Sequence, residues 1–93
     1  MDNLERVQQI VRDLEAATIA DYFSNFYDVD YIVSSDKQYK ACRVLVAFDP
    51  HICVDTWRGK VALSWQGQYA EATIPKNICK EIDTYFKRLY KLR

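Results

Sequence analysis

Apolar residues recur along this chain with two different periods, and the change between them divides it into helix, sheet and helix. In the first segment Leu4, Val7, Val11 and Leu14 stand three and four positions apart. Ile10 and Ala17 widen the stripe, and Arg6, Gln9, Arg12, Asp13 and Glu15 take the other side. That is the pattern of an amphipathic helix with one buried face. Asp2 and Glu5 form an Asp-x-x-Glu capping pattern ahead of it, supplying acceptors for the unpaired N–H groups of the first turn. After Ala17 the period blurs. Ile19, Tyr22, Phe23 and Phe26 allow the helix to continue to about Asn25, or to kink or restart as a second short helix.

The period then drops to two. Tyr27, Val29, Tyr31 and Val33 alternate with Asp28, Asp30 and Ile32, the mark of a half-buried strand. Ser34-Ser35-Asp36-Lys37 is turn chemistry. From Gln38 to Phe48, Cys42, Val44, Val46 and Phe48 point one way and Ala41, Arg43, Leu45 and Ala47 the other. Two apolar faces at Val44–Ala47 predict a central strand covered on both sides. Asp49-Pro50 breaks that run, because proline fixes φ and has no N–H for a ladder. Ile52, Val54 and Thr56 alternate with Cys53, Asp55 and Trp57. Arg58-Gly59 turns the chain, Val61, Leu63 and Trp65 return, and Gln66-Gly67-Gln68 turns it again into Tyr69–Ile74.

Pro75 suits the start of a helix, and Ile78, Ile82, Phe86 and Leu89 follow at helical spacing. Asp83 and Lys87 are placed for an i,i+4 pair, and Lys87, Arg88, Lys91 and Arg93 crowd the end where cations complement the helix dipole. The sequence therefore predicts an α+β domain over residues 1–93: an N-terminal helix, an antiparallel β-meander of four to five strands, and a C-terminal helix packed on the sheet. Leu45, Val54, Leu63, Trp65, Ile82 and Phe86 are expected in its core.

Composition adds context. A chain of 93 residues, 49% apolar with two Gly and two Pro, has a globular composition and the length of one domain. Its formal charge is zero, but residues 1–36 hold eight acids and two bases, net −6, and the remainder hold eleven bases and five acids, net +6. Either the two parts neutralise each other, or they form faces of opposite sign that meet a partner. Three widely spaced cysteines, Cys42, Cys53 and Cys79, predict reduced thiols and no disulfide framework. With no basic-apolar leader and no apolar run near the ~20 residues of a membrane span, the expected location is the cytoplasm, away from the membrane.

Candidate chemistry is sparse. His51 and Cys53 point to one side of a strand and, with Cys42 or Cys79, allow a zinc site to be imagined, but the close paired spacings of zinc sites are missing. Small core cysteines and a histidine at a turn account for the same residues. Nucleophilic catalysis needs a base beside its nucleophile, and phosphate loops need more glycine than this chain has. Neither enzyme activity, nor a metal, nor a cofactor is expected. Asp28 and Asp30 read as a solvated strand edge that resists edge-to-edge pairing. Trp57, Arg58 and Tyr69 flank the two turns of the hairpin region and have the composition of an interface anchor.

Val54-Asp55-Thr56, Val61 and Trp65, followed by Cys79-x-x-Ile82-Asp83-x-x-Phe86-x-x-Leu89-Tyr90, resemble small accessory proteins of phages and integrative elements. Those proteins often carry Trp-Gly or Trp-Trp-Gly in the return strand, where this chain has Trp65-Gln66-Gly67. The resemblance covers about the last 40 residues. It implies a mobile-element protein that binds and blocks or retunes a host complex; anti-CRISPR and other anti-defence inhibitors are one such class. It carries over no catalytic residue.

The leading expectation is a non-enzymatic inhibitor or regulator that binds a host protein or nucleoprotein complex. Trp57, Arg58 and Tyr69 would serve as anchors, and Asp21, Asp28, Asp30 and Asp36 as an acidic surface able to mimic phosphates in a basic groove. Opposite charges also allow a two-fold homodimer. The alternative is a small nucleic-acid-binding or transcription-regulating module that grips phosphates through Lys80, Lys87, Arg88, Lys91 and Arg93. Zero net charge weighs against that alternative.

Overall fold

The computed structural model describes residues 2–92. Eight elements follow in order: α1 (Asn3–Ala16), α2 (Ile19–Tyr22), β1 (Asp28–Val33), β2 (Tyr39–Phe48), β3 (His51–Asp55), β4 (Lys60–Trp65), β5 (Gln68–Thr73) and α3 (Lys76–Lys91). The strands form one antiparallel meander in the order β1-β2-β3-β4-β5. The expected α+β architecture is present, with α3 packed on the sheet.

The helices start and stop for local reasons. The Asp2 carboxylate accepts the Glu5 N–H at 2.7 Å and caps α1. Ala17 is extended, so α1 ends there, and Thr18 caps a second, four-residue helix by accepting the Asp21 N–H. Of the readings open after Ala17, the second short helix is the one formed. Between β4 and β5, Gln66 (φ 48°) and Gly67 (φ 79°) both take positive φ, the geometry of a two-residue type I′ hairpin. A cis Asp49-Pro50 bond joins β2 to β3.

One core holds the fold together. Val7, Val11 and Leu14 of α1, Phe23, and Ile78, Ile82 and Phe86 of α3 pack on Cys42, Val44, Ile52, Val54, Val61 and Leu63 of the sheet. α1 lies over β4 and β5, and α3 lies over β2. Phe23 and Phe86 meet edge to face at 5.0 Å, joining α2 to α3. Trp65 is only half-buried, at the margin of this core.

Two expectations about β2 and α3 need correction. The sheet is not covered on both sides. A register shift between Leu45 and Ala47 places a bulge at Val46. Ala47 then pairs with core Ile52, while Phe48 pairs with exposed His51. The apolar run thus marks a strand that changes phase, not one buried twice. Leu45 consequently lies half-buried on the face away from the helices, not in the core. The second correction concerns Asp83. Its Oδ1 accepts the Tyr39 hydroxyl at 2.6 Å and the Thr56 hydroxyl at 2.7 Å, tying α3 to the sheet instead of pairing with Lys87.

Candidate functional site

Directly paired residues of neighbouring strands share a face, so the register defines the second side of the sheet. One row runs Asp30, Arg43, Asp55, Lys60, Thr73; the next Asp28, Leu45, Cys53, Ala62, Glu71; the next Phe48, His51, Ser64, Tyr69. Among the described residues no helix covers these rows, because the core cluster unites every helix with the alternate set of strand residues. The result is a two-layer α+β protein with one open sheet face.

Comparison with protein-family models, with curated protein sequences and with solved structures finds no match for this chain. What the open face can do is therefore read from its own side chains.

Arg58 leaves the β3–β4 turn and lies across to β5. Its guanidinium donates to the Tyr69 hydroxyl at 3.2 Å and to Glu71 Oε2 at 2.9 Å, and Tyr69 donates to the same carboxylate at 2.8 Å. The Tyr69 hydroxyl and Arg58 together hold the Glu71 carboxyl below its ordinary range, and Tyr69 and Glu71 raise Arg58 further above its own. Lys60 continues the row by donating to Thr73 at 2.8 Å. Beside this network Tyr69 is 57% and Trp57 64% exposed. Of the three hairpin residues expected to form an anchor, Arg58 and Tyr69 are joined and fixed by hydrogen bonds before any partner arrives, and Trp57 is exposed beside Arg58 in the chain.

The opposite corner is acidic. Asp28 and Asp30 are exposed on edge strand β1, and Asp28 accepts the Val29 N–H at 2.9 Å. They border a cleft of about 200 Å³ with Arg43, Leu45, His51 and Cys53. Phe48, 65% exposed, meets Tyr27 edge to face at this end. Between the corners Asp55 is buried; it accepts the Arg58 N–H at 3.0 Å and pairs with Arg43 at 3.5 Å.

The other two acids of the expected surface lie elsewhere. Asp21 sits in the first turn of α2, on the helix layer. Asp36 is in the β1–β2 turn, where the Ser34 hydroxyl holds its carboxyl below the ordinary value. A single acidic strip from Asp21 to Asp36 is therefore not formed. Both ion pairs among the described residues, Arg43–Asp55 and Arg58–Glu71, lie within the second half, while across the halves Asp30 stands opposite Arg43 and Lys40 helps to lower the Asp36 carboxyl.

His51 and Cys53, placed by their spacing on one side of a strand and weighed there as metal ligands, do meet. Cys53 Sγ lies 3.3 Å from His51 Nε2, the spacing of a nucleophile and its base. Burial, however, pushes the Cys53 thiol up, and the nearby Arg43 only partly offsets this. The contact lies on the open face, with burial favouring the thiol form of Cys53. All three cysteines are free thiols, and no cluster of three or more metal-ligating side chains occurs among the described residues. No helix there is long and apolar enough to cross a membrane.

The residues of the alternative site lie on the other layer. Lys80, Lys87, Arg88 and Lys91 are exposed on α3, whose buried positions are Ile78, Ile82 and Phe86. Arg93 lies outside the described residues.

Proposed function

We propose that this protein is a small non-enzymatic inhibitor or regulator that acts by docking the open face of its sheet on a partner protein. The observation that carries the reading is that face: five strands wide, free of helix cover among the described residues, with the Arg58–Tyr69–Glu71 network and exposed Tyr69 at one corner, exposed Phe48 at the other, and exposed Trp57 in the adjoining turn. Aromatic and arginine side chains dominate interface energies, and here the arginine is already ordered. The free acids Asp28 and Asp30 set the charge of the occupant: a basic surface on a host protein. In the mobile-element setting implied by the sequence resemblance, a host nucleic-acid-processing complex is the natural source of such a surface, and blocking it is an anti-defence activity of the anti-CRISPR kind.

The test compares host-lysate capture by the parent protein, by Trp57→Ala/Tyr69→Ala and by Asp28→Lys/Asp30→Lys. One species retained by the parent and lost with both variants supports the reading. Capture that ignores the open face, or a mass showing the face closed by a second copy, rejects it.

A further inference from the structure

A second cleft lies between β2 and α3. It measures about 380 Å³ and is lined by Tyr39, Lys40, Lys80, Asp83, Thr84 and Lys87. Lys80, Thr84 and Lys87 stand at i, i+4 and i+7, so they share one side of α3. All three are exposed, as is Lys40 on the opposing strand. Three ammonium groups thus reach the cleft from two elements, and those elements are fixed to each other. Tyr39 and Thr56 both donate to Asp83 at the cleft floor. These hydrogen bonds hold the carboxylate in the protein and temper its charge toward the lysines. Neither ion pair among the described residues uses a lysine: Lys80 and Lys87 face solvent, and Lys40 acts on Asp36 only beyond ion-pair distance.

We propose that this cleft binds the phosphodiester backbone of a single-stranded nucleic acid, with Lys40, Lys80 and Lys87 as phosphate contacts. Cations from strand and helix contact one flexible sugar–phosphate chain, which bends to reach all three more readily than a stiff duplex does. Lys76 and Lys91 continue the stripe one turn beyond each end, at i−4 from Lys80 and i+4 from Lys87, so a longer strand tracks along α3. Lys40 and the cleft are what a basic helix alone lacks: they give the ligand a second wall. The inference does not rest on the open sheet face. A protein carrying both surfaces suits a nucleoprotein target.

The experiment is fluorescence anisotropy with end-labelled oligothymidylate, titrated at several salt concentrations. Three phosphate contacts on a single strand predict a slope of log K against log salt of about −2. Lys40→Glu should weaken binding and reduce that slope by about 0.7, the share of one contact. Lys80→Glu/Lys87→Glu should abolish binding while the thermal melt is preserved. Asp28→Lys/Asp30→Lys, on the other face, should leave the slope unchanged, which separates this site from the docking face. Unaltered binding by the folded Lys40→Glu and Lys80→Glu/Lys87→Glu proteins overturns the proposal. So does failure to bind at low salt, tighter binding to the duplex of the same length, or binding only to phosphatidylserine vesicles.

Discussion

The two faces of this sheet are built from the same strands yet follow different rules. On the helix side Cys42, Val44, Ile52, Val54, Val61 and Leu63 are all buried, and the packed helices exclude water from the three central strands. On the open side Leu45, Cys53 and Ala62 are half-buried, and charges and hydroxyls stand between them. The first face is specified by volume: its side chains must fill space left by α1, α2 and α3. The second is specified by pairing, as in Arg43–Asp55, Arg58–Glu71 and Lys60–Thr73. The solvent-facing pairs Arg58–Glu71 and Lys60–Thr73 add little to stability but order side chains, while Asp55 of the Arg43–Asp55 pair is itself buried. The comparison teaches that one face makes the fold and the other is available for recognition.

The largest expected effect breaks the covered face. Phe86→Ala removes a fully buried ring that meets Phe23, Phe26 and Tyr85, and should cost about 3–5 kcal/mol in urea unfolding. Total stability for a domain of this size is about 5–10 kcal/mol. Phe48→Ala, a ring of the same size on the open face, should cost less than about 1 kcal/mol. Equal losses would mean that Phe48 is packed in solution, for instance by a second copy, and the contrast between the faces would collapse.

The next effect contrasts two thiols. Burial pushes Cys42, on the core side, from 9.0 up to about 11, while Cys53 on the open side is raised by a smaller degree of burial. A folded-state pKa above the unfolded value means that the contribution is intact below about pH 9 and is lost as pH rises through about 11. The shift corresponds to roughly 2–3 kcal/mol. Tyr39, raised by burial and then by its bond to Asp83, adds to the same alkaline trend. Urea midpoints measured from pH 8 to pH 11 (about the window set by these groups) should fall, and Cys42→Ala should flatten that fall more than Cys53→Ala. An equally steep fall in Cys42→Ala would remove the buried thiol as its cause.

Carboxylates sharpen the comparison further. Asp83→Ala deprives the half-buried Tyr39 hydroxyl of its acceptor and leaves Thr56 the longer bond to the Cys42 carbonyl, at 3.3 Å, at a cost of about 1–3 kcal/mol. Asp30→Ala, exposed on β1, should change stability by less than about 0.5 kcal/mol. Thermal melts of the two variants check the difference; matching melts would show that Asp83 does not anchor α3.

How much of this was legible in the sequence follows the same division. The covered face was readable because burial imposes a period: Val7, Val11 and Leu14 on α1, and Ile78, Ile82 and Phe86 on α3, are buried as their spacing predicts. Turn chemistry at Gly59 and Gly67 fixed the hairpins, and both glycines take positive φ. The phase of β2 was not readable. A bulge adds a residue without changing composition, so Ala47 and Phe48 end on faces opposite to those that alternation assigns them. Asp83 was misread because helical spacing suggests Lys87, whereas its actual partners are 44 and 27 residues away in the chain. The open-face network was half legible. Trp57, Arg58 and Tyr69 announced themselves by type, but Glu71 is drawn in only by the cross-strand geometry. The His51–Cys53 contact had a signal, the i,i+2 spacing on a strand, but spacing alone does not set a rotamer.

The smallest expected effect on stability is the one most informative about function. Asp28→Lys/Asp30→Lys reverses two exposed charges at an edge strand, neither of which belongs to an ion pair among the described residues. Exposed charges contribute little, so the melt should move by less than about 0.5 kcal/mol equivalent. Trp57→Ala and Tyr69→Ala should likewise leave the core intact, since both rings are more than half exposed. Binding is where these variants separate. Charges at a rim act mainly on encounter and partner choice, so the double lysine variant should lower the association rate and its dependence on salt. Aromatic anchors act on residence, so Trp57→Ala and Tyr69→Ala should raise the dissociation rate. Lys87→Glu/Arg88→Glu, on the helix layer, provides the control when the partner protein is presented free of nucleic acid. If protein-partner kinetics respond to the lysine reversal on α3 and ignore both corners of the open face, recognition belongs to the helix layer, and the division of labour between the two faces is the reverse of the one argued from their packing.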